Sequence, residues 1–384
     1  MDDFLFETTP RIICEAGGSS RLGELARELG MRHAFIVTDA GLVQAGVLAP
    51  IMATLKAAGI GVTLFPDVLA DPPQETILAA VSAALGAGTD GVIGIGGGSS
   101  LDTAKLVALL SGAPQDIQGI YGIGLARGPR HPLIQVPTTA GTGSEVTPIA
   151  IVTTPTHEKK GVVSPLLYPD IALLDGRLTL GLPPHVTAMT GIDAMVHAIE
   201  AFTSRHKKNP VSDALAVKAL ELLFGNIRSA VSDGANERAR AAMLQGSLLA
   251  GMAFANAPVG AVHALAYPLG GHFHVPHGLS NALVLLPVMA FNRPVADRYY
   301  ARLAEAILPD RRFADAAEGA DAFLREMRDL VAKMPFAQRL QDVGVARNDL
   351  PLLARDAMNV QRLLVNNPRD VTYEDALQIY EAAF

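Results

Sequence analysis

Gly91-Val92-Ile93-Gly94-Ile95 runs straight into Gly96-Gly97-Gly98-Ser99-Ser100 and then Leu101-Asp102-Thr103-Ala104-Lys105. A short β-branched apolar run reads as a buried strand, the glycines as a tight turn, and the next residues as the opening of a helix. Free amides at such a helix start can hold a phosphate, and glycines let it approach the backbone. A plain strand-to-helix turn would use the same residues. The usual dinucleotide fingerprint has an acidic residue about 20 positions after its glycines, whereas here the candidate acid, Asp39, precedes them.

The same grammar continues on both sides. Ala34-Phe35-Ile36-Val37 is followed by a helical pattern toward Ala58, Gly61 to Phe65 by another ending near Leu85, and Leu101 to Leu110 leads to Leu133-Ile134-Gln135-Val136. Strands alternating with crossover helices predict a parallel sheet. Ile149 to Thr153 and Gly161 to Ser164 read as a hairpin added to it, and Cys14, beside Ile12 and Ile13, as a small core residue of a further strand. After Pro183-Pro184 the strand signals stop. From His185 the pattern is helical, punctuated at Asn209-Pro210, Ser232-Asp233-Gly234, Pro276, Pro287, Pro294 and Asn366-Asn367-Pro368. The expected fold class is an α/β domain over residues 1–181 followed by an all-α domain over 182–384, with a cleft between them.

Asp39 ends the strand Ala34 to Thr38. Its carboxylate could accept hydrogen bonds from a ribose diol, where it would repel a 2′-phosphate, or it could simply cap the next helix. A third loop, Pro137-Thr138-Thr139-Ala140-Gly141-Thr142-Gly143-Ser144-Glu145, is rich in hydroxyls and glycine. Three polar or glycine-rich loops at strand ends point to one extended ligand.

Between Arg240 and Arg293, 52 residues pass without Asp, Glu, Lys or Arg, yet they hold four of the ten histidines: His263, His272, His274 and His277. Neutral imidazole in an apolar setting suggests a metal site. Upstream, Gly191-Ile192-Asp193-Ala194-Met195-Val196-His197 sets a carboxylate and an imidazole four residues apart, on one helix face. Asp193, His197, His263 and His277 together make an O/N₃ set suited to a divalent first-row metal. Each has a plainer reading: Asp193 with Thr190 in a capping box, the histidines as satisfied core residues. Glu200 shares the helix face of Asp193 and His197 and suits a supporting role better than a ligand's. His272 and His274 would line the cleft or its rim.

The remaining composition narrows the function classes. A net charge of −7 and 31 scattered basic residues leave no stripe for nucleic acid. One cysteine excludes an internal disulfide and suits a reducing compartment. Met1-Asp2-Asp3-Phe4 lacks the basic and apolar regions of a secretory signal, and polar residues interrupt every long apolar run, so a cytoplasmic protein without a membrane span is expected.

These motifs resemble the iron-containing (group III) alcohol dehydrogenases over nearly the whole chain. Gly96-Gly97-Gly98-Ser99 with Asp102 and Lys105 comes first, then Pro137-Thr138-Thr139 through Gly143-Ser144-Glu145. Gly191-Ile192-Asp193 through His197-Ala198-Ile199-Glu200 and finally His263 with Pro276-His277-Gly278 follow in the family's order. The resemblance implies a dehydroquinate-synthase-like fold, a homodimer, and one divalent metal, Fe²⁺ or alternatively Zn²⁺, at Asp193, His197, His263 and His277. It also implies a nicotinamide cofactor, NAD rather than NADP given Asp39, lined by Asp39, Gly97, Gly98, Ser99, Asp102, Thr138, Thr139, Thr142 and Lys160. Two positions depart from the family. Tyr267 stands where a histidine assigned to proton transfer is usual, and a phenol with its ordinary pKa near 10 is a poorer base. Asp71 stands where the family tends to carry Asn, so its carboxylate should face away from a pyrophosphate or contact a hydroxyl.

The activity so implied is hydride transfer between a small alcohol and a nicotinamide, or the reverse reduction of an aldehyde or ketone. The same fold class also hosts metal- and NAD-dependent lyases of the dehydroquinate synthase type. Non-catalytic filament-forming relatives are a third reading.

Overall fold

Six strands pair in parallel in the order β1-β9-β6-β4-β2-β3: β1 (Ile12–Cys14), β2 (His33–Val37), β3 (Gly61–Phe65), β4 (Gly91–Gly96), β6 (Leu133–Pro137) and β9 (Ile171–Leu174). The structure, a computed structural model, describes residues 3–156 and 158–384. Met1 and Asp2 of the N-terminal stretch read above, and His157 of the hairpin loop, lie outside them.

Strand alternation explains why the central runs are apolar throughout. Phe35, Val37 and Val92 point into one cluster with Ile77 and Ala80 of α4 (Gln74–Ala87) and Leu106 and Leu109 of α5 (Gly98–Gly112). Ala34, Ile36, Ile93 and Ile95 point the other way, against Leu22 and Leu25 of α1 (Leu22–Glu28) and Ile51 and Leu55 of α3 (Leu48–Ala57). Covered on both faces, a parallel strand has no polar side to show. The helical pattern toward Ala58 is split, with α2 (Ala40–Gln44) preceding α3.

Two expectations are corrected here. The hairpin of β7 (Ile149–Thr153) and β8 (Lys159–Val163) is antiparallel, but it joins β5 (Gly122–Ile123) in a separate three-stranded sheet. Its buried residues Ala150, Val152 and Val162 belong to the α5-side cluster, so it packs on helix rather than extending the large sheet. Cys14 ends the edge strand β1 and is exposed, not in the core.

The described chain divides into two compact units, Thr8–Gly181 and Leu182–Phe384, with residues 3–7 going with the second. The second unit is helical: α6 (Pro184–Thr203), α7 (Pro210–Ser232), α8 (Glu237–Asn256), α9 (Ala261–Phe273), α10 (His277–Ile307), α11 (Ala316–Val331), α12 (Leu350–Ala357), α13 (Gln361–Leu364) and α14 (Tyr373–Ala383). Asn256 ties the N-terminal segment down, accepting from the Glu7 amide at 2.8 Å and donating to its carbonyl at 2.9 Å. The uncharged stretch forms most of α8, all of α9 and the first half of α10. Pro287 and Pro294, expected as breaks, lie within α10, where burial outweighs the two lost backbone bonds. By length and composition α10 could cross a membrane, yet 61% of its most apolar window is buried within the protein, as in a core helix.

Candidate metal centre and nucleotide loops

Helix α6 brings the first ligands. Pro183 and Pro184 start it where a missing amide hydrogen costs nothing, so Thr190 lies inside the helix, donating to the Val186 carbonyl at 3.0 Å. The capping-box reading of Asp193 therefore falls away. Asp193, His197 and Glu200 repeat at helical spacing on one buried face, and His197 stacks on Phe254 of α8 with ring centroids 4.4 Å apart. His263 comes from the first turn of α9, and His277 opens α10.

The structure brings Asp193, His197, His263 and His277 together, with one ligand atom from each all within 4.8 Å of one another. His197 Nε2 and His263 Nε2 are 3.0 Å apart, and His277 Nε2 is 3.7 Å from Asp193 Oδ1. Three of the four are buried, while His277 keeps 30% of its side chain exposed and opens the group to one side. Gly278 permits the approach of α10 to α6, because a Cβ there would meet the Met189 carbonyl oxygen at 2.6 Å.

Glu200 settles a proton. His263 Nδ1 lies 2.6 Å from Glu200 Oε2, and the Val262 amide donates to Oε1 at 2.7 Å. With its hydrogen on Nδ1, His263 turns the Nε2 lone pair toward the other ligands. Burial works to push the Asp193 carboxyl up, but positive charge on His197, His277 and His263 when these are protonated, with the Asn281 amide, holds it below the usual carboxylate range.

These residues fit a divalent cation. Donors about 2.0–2.2 Å from one ion lie at most roughly 4.4 Å apart, so small side-chain shifts would close the group round it. Nearby, Asn281 Oδ1 is buried without a hydrogen-bond partner.

Tyr267 follows His263 by one helical turn, but it stands beside the ligand group rather than in it. Its ring centroid is 6.3 Å from that of His277, and Arg362 Nη2 reaches its hydroxyl at 3.4 Å. His272 Nε2 is 2.6 Å from Asp356 Oδ2, and His274 terminates α9 in the left-handed region with φ 54°, so neither joins the ligands.

In the α/β unit, the carboxyl ends of β2, β4 and β6 are neighbours, which sets Asp39, Gly96-Gly97-Gly98 and the Thr138 loop side by side. Gly97 precedes α5, and Gly98 is tightly packed: a Cβ there would meet Thr142 Cγ2 at 2.7 Å. Thr139 lies against Gly97, and the Thr138 amide donates to the Gly96 carbonyl at 2.9 Å. Asp39 caps α2 through Oδ1, which accepts from the Leu42 amide at 3.1 Å, while Oδ2 faces Gly96. One carboxylate thus has an oxygen for each of its two readings.

Two residues expected to line the cofactor are placed differently. Asp102 commits both oxygens to the protein, accepting from Ser144 Oγ at 2.6 Å and the Ile151 amide at 2.9 Å, so it braces the loop. Lys160 is half exposed and pairs with Glu158 at 3.3 Å. It is Lys159, one residue earlier and so on the opposite strand face, that turns inward and pairs with Asp71 at 2.7 Å. The Asp71 amide donates to Ser99 Oγ at 3.2 Å, so its carboxylate faces Lys159. Beneath the loops, Lys105 is wholly buried and donates to Thr147 Oγ1 and the Ile149 carbonyl; burial brings its ammonium down to about 8. Burial also pushes the Glu145 carboxyl up to about 7.

Sequence reading missed Asn281, Phe254, Lys159 and Arg362. Only Asn281 had a local signal, four residues after His277 in an uncharged helix.

The iron-containing alcohol dehydrogenase profile matches residues 9–176, and the profile of the C-terminal part of the Fe-containing alcohol dehydrogenase family matches residues 187–384. A long-chain-alcohol dehydrogenase of Geobacillus thermodenitrificans is 40% identical over 371 residues, 96% of this chain and 93% of that one. A 1,3-propanediol oxidoreductase superposes with a TM-score of 0.96 at 33% identity, covering 100% of both chains. The sulfoacetaldehyde reductase of Bifidobacterium kashiwanohense, solved in complex with NAD⁺, superposes with a TM-score of 0.89 at 27% identity over 100% of this chain and 99% of that one.

Proposed function

The chain belongs to the iron-containing alcohol dehydrogenase family and is an oxidoreductase of alcohols and aldehydes; from that premise we propose that Asp193, His197, His263 and His277 are its metal ligands and NAD its cofactor. The observation carrying the metal assignment is the convergence of one ligand atom from each within 4.8 Å. Fe²⁺ is the proposed ion, with Zn²⁺ able to use the same oxygen and imidazole donors. A divalent cation supplies Lewis acidity toward the substrate oxygen, and a nicotinamide accepts or returns the hydride.

The chain's own residues prepare both. Glu200 keeps His263's hydrogen on Nδ1, and Phe254 with the uncharged helices keeps water from three of the ligands. In this reading the backbone amides of Gly98 and Ser99 hold a phosphate, Asp39 Oδ2 accepts from a ribose hydroxyl, and Thr138, Thr139 and Thr142 shape the loop around them. Lys159 takes the role of the cofactor-facing cation that Lys160 was expected to fill. The Asp39 charge favours NAD over NADP. Tyr267, with Arg362 on its hydroxyl, is the candidate for moving the substrate's proton. The same reading makes the protein a cytoplasmic homodimer, its single cysteine supporting the reducing compartment.

Elemental analysis of purified protein, then nicotinamide absorbance with an alcohol and aldehyde panel in NAD and NADP, tests this reading. His263→Ala is expected to lose bound metal and turnover together. Full turnover by a metal-free variant would overturn it.

A further inference from the structure

Among the described residues, Asn281 is a fully buried polar side chain that touches three of the four candidate ligands yet has no place in the ligand set. It follows His277 by four residues, so α10 presents both on one face. Its Nδ2 donates to Asp193 Oδ1 at 2.5 Å and lies 3.2 Å from His263 Nε2 and 3.3 Å from His277 Nε2. Its Oδ1 is buried with no partner.

Resting on the ligand assignment above, we propose that Asn281 is a positioning residue of the metal centre, fixing which Asp193 oxygen faces the imidazole nitrogens and thereby setting metal affinity. The physical reason is the two-fold freedom of a carboxylate. Asp193 can turn about its last torsion and offer one oxygen or two, which changes ligand number. A short hydrogen bond to Oδ1 from a buried amide removes that freedom, because Asn281 is itself held inside α10 and is 0% exposed. Gly278, between His277 and Asn281, supplies the close helix approach the bond needs: a Cβ there would meet the Met189 carbonyl oxygen at 2.6 Å.

The test uses the whole protein and Co²⁺ as probe metal. Wild type must bind Co²⁺ and His263→Ala must not; failure at this step overturns the ligand assignment and this inference with it, whereas failure of the Asn281 variants alone leaves the ligand assignment standing. Asn281→Ala and the near-isosteric Asn281→Leu are then compared with wild type by chelator competition, visible Co²⁺ absorption and thermal unfolding. The expected result is a metal dissociation constant raised about 10–100-fold in both, with shifted Co²⁺ bands as Asp193 changes its mode of binding. Wild-type affinity and spectrum in either folded variant would overturn the proposal, even with a lowered Tm. Failure of both variants to fold would also overturn it, marking Asn281 as a packing residue.

Discussion

Glu200 is shared between two helices: Oε2 meets His263 Nδ1 at 2.6 Å while Oε1 accepts the Val262 amide at 2.7 Å, both partners in the first turn of α9. The carboxylate stands near the N-terminal end of α9, where free amides favour negative charge. It therefore costs less to bury there than elsewhere, and in return it orients the ring of a candidate ligand.

Removing that carboxylate should loosen the metal without removing any ligand. Glu200→Ala is expected to weaken metal binding about 10–100-fold, and Glu200→Gln, which keeps one acceptor, by less. Chelator competition followed by circular dichroism separates this from unfolding. Wild-type affinity in Glu200→Ala would mean the imidazole needs no such partner.

Tyr267 offers a test of proton transfer. Its hydroxyl has Arg362 as neighbour and its ring lies beside His277, so Tyr267→Phe changes little packing. If the hydroxyl moves the proton, kcat should fall about 10²-fold or more with bound metal retained. An unchanged kcat would pass the role to solvent or another group.

The two lysines of β8 make opposite predictions. Lys159→Ala should raise the KM for NAD about tenfold or more, the size of one charge-assisted hydrogen bond, whereas Lys160→Ala should leave it near wild type. Steady-state kinetics with varied NAD decides. The reverse order would restore Lys160 to the cofactor site.

Glu145 predicts a pH dependence of stability. Its carboxyl is raised to about 7 in the folded protein against an ordinary 4.5, so the native state holds a proton the unfolded chain has released. Stability from this group is therefore full below about pH 4.5 and is lost as pH rises toward 7, by on the order of 3 kcal/mol. Glu145→Gln should flatten that loss in urea unfolding between pH 5 and pH 8. A variant with the wild-type slope would place the titration elsewhere.

Much of the fold was legible because strand and helix periods are properties of the backbone. The parallel sheet and the helical second unit followed from runs such as Gly91 to Ile95 and from the end of strand signals at Pro183. The hairpin was recognised, but not what it packs on, since Ala150 and Val152 suit helix and sheet surfaces alike. Pro287 and Pro294 read as breaks because local propensity cannot weigh the burial that carries α10 through them. Cys14 read as core because an apolar run does not say that its strand is the last in the sheet.

The sequence by itself determined which residue types were present at helical spacing: Asp193 with His197, His263 with Tyr267, and a glycine turn after a buried strand. Those are relations within one element, set by fixed rise and rotation per residue. Tertiary structure decided the rest. It brought His263 and His277 beside Asp193 and His197, set Glu200 against His263 and Asn281 against Asp193, and turned Lys159 rather than Lys160 inward. The reason is physical: a shift of one residue reverses the face of a strand, and residues 193 and 277 meet only because α10 packs on α6 closely enough for a glycine at 278 and nothing larger.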